Sequence, residues 1–328
     1  MNEMRQISRY AYPNTRIRSM FSELLDEDFF SRLSGTDFNG FLDILEKTEY
    51  ADLIKGRESI TPEEFEVSCI KADREKIKKI SSFFLSKNEK RIILLLDERY
   101  MVEQLKFALR LWKRKQQSFQ SQYRGEFSHI FNAKTIDEVQ DLLEESGYAS
   151  AVGNAKEMYE KTGSLYMVEV LIDRQYFEKL QDAIGRLSST DRIIARNIIG
   201  AEIDRENLLW LGRILLYYSG KIPSEMAGFI PGGATLSEKD LRKLMSQSMT
   251  SSVELKLPQR YLEIIEKLPE NLADIDRILE GIIIHQIKKA LVEKPFSIGI
   301  PLGYIFLKLR ETRRLVSVFV SKYLSVKQ

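Results

Sequence analysis

The chain has 328 residues, of which 43% are hydrophobic and 30% charged, so it can build real cores and is not a disordered chain. Its 50 Lys and Arg residues nearly balance its 48 Asp and Glu residues, and the formal net charge of +2 gives no support for nucleic acid as a partner. A single cysteine, Cys69, excludes an internal disulfide, and we expect this side chain in a core. The two histidines, His129 and His285, lack metal-ligand spacing, so we expect no metal.

Apolar residues recur with a helical period along the chain and predict an all-α fold. Three of the stripes are Phe38, Phe41, Leu42 and Leu45; Met101, Leu105, Ala108, Leu109 and Trp112; and Leu302, Ile305, Phe306, Leu309 and Val316. A fourth runs from Leu208 through Leu211 and Leu215 to Tyr218. The apolar run Leu165–Ile172 alternates weakly and also fits a buried helix.

Helix starts and one loop have recognisable signals. Thr61–Glu64 and Thr135–Glu138 read as capping boxes, in which the threonine oxygen and the glutamate carboxylate each accept a backbone N–H. The clearest loop is Lys221–Thr235, which contains Pro231, Gly232 and Gly233. These glycines lack the Lys-Ser/Thr of a phosphate-binding loop, so we interpret them as a turn that needs positive φ.

A faint internal repetition predicts three helical repeats. Asp97–Arg110 resembles Glu202–Arg213, with Gln104 aligned on Asn207, and the stretch Lys308–Val316 is a looser copy. The opening Tyr10–Arg18 has the same amide-then-arginine character. We therefore predict repeats at 1–96, 97–201 and 202–328, the third with a closing C-terminal helix.

No motif of an enzyme stands out. The one Gly-Lys pair, Gly220-Lys221, is followed by isoleucine, and no nucleophile elbow is present. The acid clusters Asp26–Asp28 and Glu144–Glu145 fit solvated faces or first helical turns. The basic run from Trp112 toward Arg124 fits a helix end or a connector better than a nucleic-acid site. We expect no catalytic residue, no cofactor and no metal site.

Polar residues on otherwise apolar helices remain as structural or partner-contact candidates. They are Asn14, Arg16, Arg18, Gln104, Arg110, Asn207, Arg213, Arg310, Arg313 and Arg314. We favour hydrogen bonding between helices for the three amides, because polar groups near a core need partners. The arginines fit either role. The segments Phe229–Gly233 and Ile298–Gly303 are contact loops or buried turns.

The ordered set of motifs resembles the family formed by the C subunits of A-type and V-type rotary ATPases, to which the d subunit of the vacuolar ATPase belongs. The motifs are Tyr10-x-Tyr12-x-Asn14-x-Arg16-x-Arg18 with Leu24-Leu25; Tyr176-Phe177 with Glu202-x-Asp204-x-x-Asn207-Leu208; Ile230-Pro231-Gly232-Gly233 with Leu236; and Lys294-Pro295-Phe296-Ser297 with Gly303–Lys308. Leu209 and Arg314 depart from the family pattern, and Arg91–Ser128 fits it poorly.

The resemblance implies three similar helical domains around a pseudo-threefold axis, arranged as a funnel. It also implies a non-catalytic central-stalk subunit on the cytoplasmic side of a membrane, between the proteolipid ring and the shaft made by the D and F subunits. The longest apolar stretch, Phe296–Leu307, has twelve residues, and a spanning helix needs about 20. We therefore expect membrane association only through protein. A generic helical-repeat scaffold of another complex is the alternative, and the transported ion stays open.

Overall fold

The computed structural model describes residues 2–55, 60–114, 125–217, 228–246, 257–267 and 272–326. Within these ranges the chain is helical and has no strand, which confirms the all-α prediction. The chain divides into two compact units, Met1–Asp97 with Ile287–Gln328, and Glu98–Gln286. This division does not test the boundaries 1–96, 97–201 and 202–328, which stay a prediction.

Helices of very different length alternate along the described ranges. In chain order they are α1 (Asn2–Met20), α2 (Glu27–Ser34), α3 (Phe38–Leu45), α4 (Ala51–Ile54), α5 (Pro62–Ser82), α6 (Lys87–Arg114), α7 (Ile136–Leu142), α8 (Ala149–Thr162), α9 (Tyr166–Gly185), α10 (Ser189–Tyr217), α11 (Glu238–Ser246), α12 (Gln259–Lys267), α13 (Leu272–Glu293) and α14 (Gly299–Val326). Short 3-10 turns lie at Phe21–Glu23, Ser128–Asn132 and Glu144–Ser146. The predicted loop Lys221–Thr235 and the basic run toward Arg124 fall partly outside the described residues.

One of the two predicted capping boxes is complete. Thr61 accepts from the backbone N–H of Glu64, and the Glu64 carboxylate accepts from the backbone N–H of Thr61. Thr135 likewise accepts from the N–H of Glu138. The Glu138 carboxylate, however, accepts from the N–H of Lys134 at 2.8 Å, one residue before the cap. The second prediction is therefore only half right. The threonine oxygen and the glutamate carboxylate both accept a backbone N–H, but the carboxylate takes the N–H of Lys134 and not that of Thr135.

The first unit packs around aromatic residues of α5 and α14. The rings of Phe65 and Phe319 stack at 4.2 Å between centroids, and both side chains are fully buried. Cys69 lies in the same core, where burial and the neighbouring Asp73 raise the pKa of its thiol to about 12. The buried position confirms the prediction of a core cysteine. A thiol that stays protonated is also unreactive.

The second unit is organised around α10, which is buried on all sides along its middle. Every residue from 198 to 212 is buried, including the predicted stripe residues Leu208 and Leu211. A helix surrounded in this way must satisfy its own polar side chains inside the protein. In the parts of the chain that the structure describes, no helix has the length and apolarity that a bilayer crossing requires.

Candidate functional site

The segment Phe229–Leu236, named here the anchored turn, is fixed to α10 by an amide. The Asn207 side chain donates to the carbonyl of Ile230 and accepts from its N–H, both at 2.8 Å. Asn207 is only 1% exposed, so these two bonds satisfy a group that water cannot reach. The expectation that Asn207 has a structural role agrees with this position.

A second buried side chain on α10 holds the other end of the anchored turn. Asp204 accepts from the backbone N–H groups of Thr235 at 2.9 Å and Leu236 at 3.1 Å. It also accepts from the hydroxyl of Tyr261 on α12 at 3.0 Å. Burial raises the pKa of the Asp204 carboxyl to about 6, although these hydrogen bonds act in the opposite direction. One carboxylate thus joins α10, the turn and α12.

Two glycines allow the turn to lie so close to α10. Gly232 has a φ of +89°, which confirms the turn interpretation, because side chains other than glycine rarely adopt this conformation. At Gly233 an added Cβ would lie 2.0 Å from the Asp204 Oδ1 atom. Gln181 donates to the carbonyl of Pro231. The predicted site residues Pro231, Gly232 and Gly233 therefore belong to a turn fixed by three side chains.

Buried ion pairs join the middle helices of the second unit. Asp173 on α9 is fully buried and accepts from Arg99 at 3.0 Å and from Lys106 at 2.9 Å, both on α6. Arg99 also donates to Glu206 on α10 at 2.9 Å. Burial lowers the pKa of Lys106, but the carboxylates of Asp173, Glu103 and Glu206 together outweigh this and the pKa is raised overall. Removing all the carboxylates of this group, or all its cations, would leave the opposite charges buried without compensation.

Further arginines extend these pairs along α6 and α10. Arg110 forms a two-point contact with Glu169 at 2.7 and 2.5 Å, and Arg205 donates to Asp276 on α13 at 2.6 Å. Paired guanidinium and carboxylate groups have a fixed mutual geometry. They therefore set the position of α6 and α13 against α9 and α10.

The first unit uses an amide in a related way. Asn14 on α1 is 2% exposed, and its side-chain N–H groups donate to the carbonyls of Pro295 at 2.9 Å and Ser297 at 3.0 Å. These carbonyls lie just before α14 begins. The exposed Arg18 donates to the carbonyl of Leu291 at 3.3 Å. The N-terminal helix is thereby fixed to the last turn of α13 and to the segment between α13 and α14.

A tyrosine hydroxyl donates to a carboxylate of a long helix at three places, and we name these pairs the tyrosine latches. Their members are Tyr50 with Glu311 at 2.6 Å, Tyr148 with Glu98 at 2.6 Å and Tyr261 with Asp204 at 3.0 Å. The first two also contain a lysine, Lys308 at 2.7 Å from Glu311 and Lys179 at 2.6 Å from Glu98. Each of these lysines lies over the ring of its tyrosine, at 4.3 and 4.1 Å.

The first two latches share their local backbone geometry. Thr48 accepts from the N–H of Tyr50 at 3.2 Å and donates to the carbonyl of Leu45. Ser146 accepts from the N–H of Tyr148 at 3.2 Å and donates to the carbonyl of Leu143. The sequences around them, LEKTEYA and LEESGYA, correspond residue by residue. This correspondence is clearer than the amide alignment from which repeats were predicted.

The remaining predicted site residues are arginines, and each has its own surroundings. Arg16 and Arg313 are exposed, and Arg16 lies 5.9 Å from the ring of Phe83. Arg213 is half-buried over the ring of Trp210, and Arg310 lies 3.5 Å from Glu27. Asn207, by contrast, lies beside the anchored turn.

One expectation changes when the contacts are known. The segment Ile298–Gly303, predicted as a contact loop or buried turn, is fully buried and contains the first residues of α14. Asp204, Asp173 and Lys308 were not singled out from the sequence as site residues. The sequence signal that could have identified them is a charged residue within an apolar helical stripe. In the part of the chain that the structure describes, no group of three or more His, Cys, Asp or Glu residues could hold a metal ion.

These contacts define an all-helical protein in which buried polar side chains fix helices and a turn. Residues 13–328 match the family described as ATP synthase (C/AC39) subunit, and the chain belongs to that family. This confirms the resemblance seen in the sequence.

Curated relatives agree over almost the whole chain. The C subunit of the A-type ATP synthase of Thermococcus kodakarensis is 25% identical over 93% of this chain and 84% of its own length. The protein of the same name from a Desulfurococcus species is 27% identical over 94% of this chain and 85% of its own length. That from Methanocaldococcus jannaschii is 22% identical over 98% of this chain and 84% of its own length.

Proposed function

We propose that the chain is a non-catalytic central-stalk subunit of a rotary ATP synthase or ATPase. The observation that carries this proposal is the family match over residues 13–328, together with relatives of similar length that are named as C subunits of A-type ATP synthases. In this proposal the chain lies on the cytoplasmic side of the membrane. It couples the proteolipid ring of the membrane sector to the shaft made by the D and F subunits, in a machine that transports protons or sodium ions.

Such an adaptor must transmit torque without deforming, and the contacts inside each unit support this role. Close-packed interiors have low compressibility. The buried pairs of Asp173 with Arg99 and Lys106, and the two-point contact of Asn207 with Ile230, add fixed geometry between helices. We infer that α6, α9 and α10 behave as one stiff group under load.

We also propose the threefold repetition and funnel that the resemblance implies. The matching segments around Tyr50 and Tyr148, 98 residues apart, support repeats of this length. The third tyrosine latch, Tyr261 with Asp204, supplies the same kind of contact in the last predicted repeat. Superposing windows of this length in an experimental structure tests the repeats, and a different helix order in the windows would contradict them.

Three exposed predicted arginines and part of the anchored turn are the proposed contacts to partners. They are Arg16, Arg18 and Arg313, with the outer face of the anchored turn at Gly232 and Ala234. A guanidinium at a protein surface can pair with acidic side chains of a partner, whereas buried Asn14 and Asn207 cannot. We propose a structural role for Arg110 and Arg310, which lie at ion-pair distance from carboxylates of this chain, and for Arg213, which is half-buried over an aromatic ring.

Flotation with liposomes tests the adaptor role. The chain is mixed with anionic liposomes that contain or lack a reconstituted proteolipid ring. We expect it to float only with the ring, because no segment of the described chain is suited to crossing a bilayer and the net charge of +2 gives little attraction to headgroups. A triple Arg16→Ala, Arg18→Ala, Arg313→Ala variant should bind the ring or the D and F shaft more weakly. Equal binding to bare liposomes would contradict attachment through protein.

Calorimetry with ATP and magnesium tests the non-catalytic part of the proposal. The sequence has no glycine-rich loop followed by Lys-Ser or Lys-Thr, so we expect no heat of binding. Binding in the micromolar range would contradict this part.

A further inference from the structure

The three tyrosine latches differ in how the charge of the carboxylate is compensated. Glu311 lies 2.7 Å from the ammonium of Lys308, and Glu98 lies 2.6 Å from that of Lys179. Asp204 has no lysine, arginine or histidine within ion-pair distance among the described residues. It is nevertheless fully buried, and its negative charge is stabilised by hydrogen bonds from two backbone N–H groups, from the hydroxyl of Tyr261 and from the side chain of Thr235.

The charged groups near Asp204 are engaged elsewhere. Its neighbours on α10 are Glu202, Arg205 and Glu206, which pair with one another, with Asp276 on α13 and with Arg99 on α6. On α11, Asp240 accepts from Ser237 and Glu238 pairs with Arg174 of α9. On α12, Arg260 precedes Tyr261. The titratable group that faces Asp204 directly is the phenol of Tyr261, whose pKa is raised by burial and by Asp204 itself.

Burial of this carboxylate has a definite consequence for the anchored turn. With the turn in place, burial raises the pKa of Asp204 to about 6. If the turn lifts away, water reaches the carboxylate and its pKa returns toward the ordinary value of 3.8. The closed turn therefore binds the proton more tightly than the open turn does. By linkage, closure is favoured as the pH falls through 6 and is weakened as the pH rises above it.

We propose that Asp204 is a pH-sensitive latch that holds the anchored turn and α12 more firmly in slightly acidic solution than at neutral pH. The other two tyrosine latches differ from it, because an ammonium group lies beside each of their carboxylates. The inference goes beyond the adaptor role and does not depend on it. It concerns an equilibrium inside this chain alone.

Hydrogen exchange on the full chain tests the latch. Opening of the Thr235 and Leu236 amides is measured at pH 5.0 and pH 7.5, after correction for the intrinsic exchange rates. From the two pKa values we expect the opening equilibrium constant to be about 10-fold larger at pH 7.5. The amide of Leu25, which donates to Glu311 at 2.5 Å, is measured at the same two pH values as an internal comparison outside the anchored turn.

The Asp204→Asn variant separates titration from the mere presence of the contact. Its amide oxygen can still accept a backbone N–H, but the side chain has no proton to gain, so the opening of the turn should lose its pH dependence. Equal opening at the two pH values in the wild type would overturn the proposal. So would a 10-fold change that persists in the variant or that appears equally at Leu25. If the variant does not fold, the comparison of Leu236 with Leu25 in the wild type still decides.

Discussion

Asn207 and Ile230 exchange two hydrogen bonds of 2.8 Å between a side-chain amide and a backbone peptide group. The geometry copies the pairing of two strands, but here it joins a helix interior to a turn. Because each partner uses both its donor and its acceptor, neither leaves a polar atom of this contact unsatisfied. The two hydrogen bonds therefore fix where the anchored turn lies against α10.

Replacing Asn207 by alanine should leave the N–H and carbonyl of Ile230 buried without their partners. We expect Asn207→Ala to lower the free energy of unfolding by about 1–3 kcal/mol, measured by urea denaturation. Arg313→Ala is the control, since this exposed side chain should change stability by no more than about 0.5 kcal/mol. An unchanged midpoint for Asn207→Ala would show that the amide is not a structural anchor.

Removing Asp173 should be more damaging, because the buried Arg99 and Lys106 would lose the fully buried carboxylate that they share. Glu103 and Glu206 would remain as their other partners. We expect Asp173→Ala to destabilise the chain by about 3–5 kcal/mol in the same assay. Asp182→Ala provides a matched comparison, because Asp182 on α9 pairs with Arg186 just after the helix ends, but both side chains are more than half exposed. Its cost should be below about 1 kcal/mol. Similar losses for the two variants would mean that water reaches the Asp173 cluster.

The sequence predicted the burial of polar side chains better than it predicted their hydrogen-bond partners. Asn207 follows from its neighbours, because Leu208 and Leu211 place it on a buried helix. The burial of an arginine cannot be predicted in this way, because its long side chain carries the charge to the surface from a partly buried stem. Arg16 and Arg313 are accordingly exposed.

Partners are hidden from the sequence when they come from distant segments. Asp204 bonds to Thr235, Leu236 and Tyr261, and no local pattern specifies which carboxylate a given tyrosine will meet. Tyr50 meets Glu311 almost at the other end of the chain. The repeated local motif around Tyr50 and Tyr148 was visible in the sequence, but its meaning required the hydrogen bonds of Thr48 and Ser146.

The first two tyrosine latches should differ in strength because they differ in burial. Tyr50→Phe removes a donor from Glu311, whose side chain is 3% exposed, so we expect a loss of about 1–3 kcal/mol. Tyr148→Phe removes a donor from Glu98, which is 22% exposed and can recover a bond from water. Its loss should be nearer about 0.5–1 kcal/mol. Thermal or urea unfolding of the two variants gives the order, and a larger loss for Tyr148→Phe would contradict this account.

Gly233 should tolerate no side chain while Asp204 holds the anchored turn. A methyl group there would lie 2.0 Å from Asp204 Oδ1 and 2.7 Å from the carbonyl oxygen of Leu236. We expect Gly233→Ala to destabilise the chain by about 1–3 kcal/mol through overpacking, with a further loss as the carboxylate moves away from its N–H donors. Gly185→Ala is the control, because nothing lies within 4 Å of its added Cβ, and it should be neutral or slightly stabilising. The substitution should cost less in an Asp204→Ala background, where the carboxylate no longer occupies the space. Additive effects of Gly233→Ala and Asp204→Ala would show that the two residues act independently, which their contact does not allow.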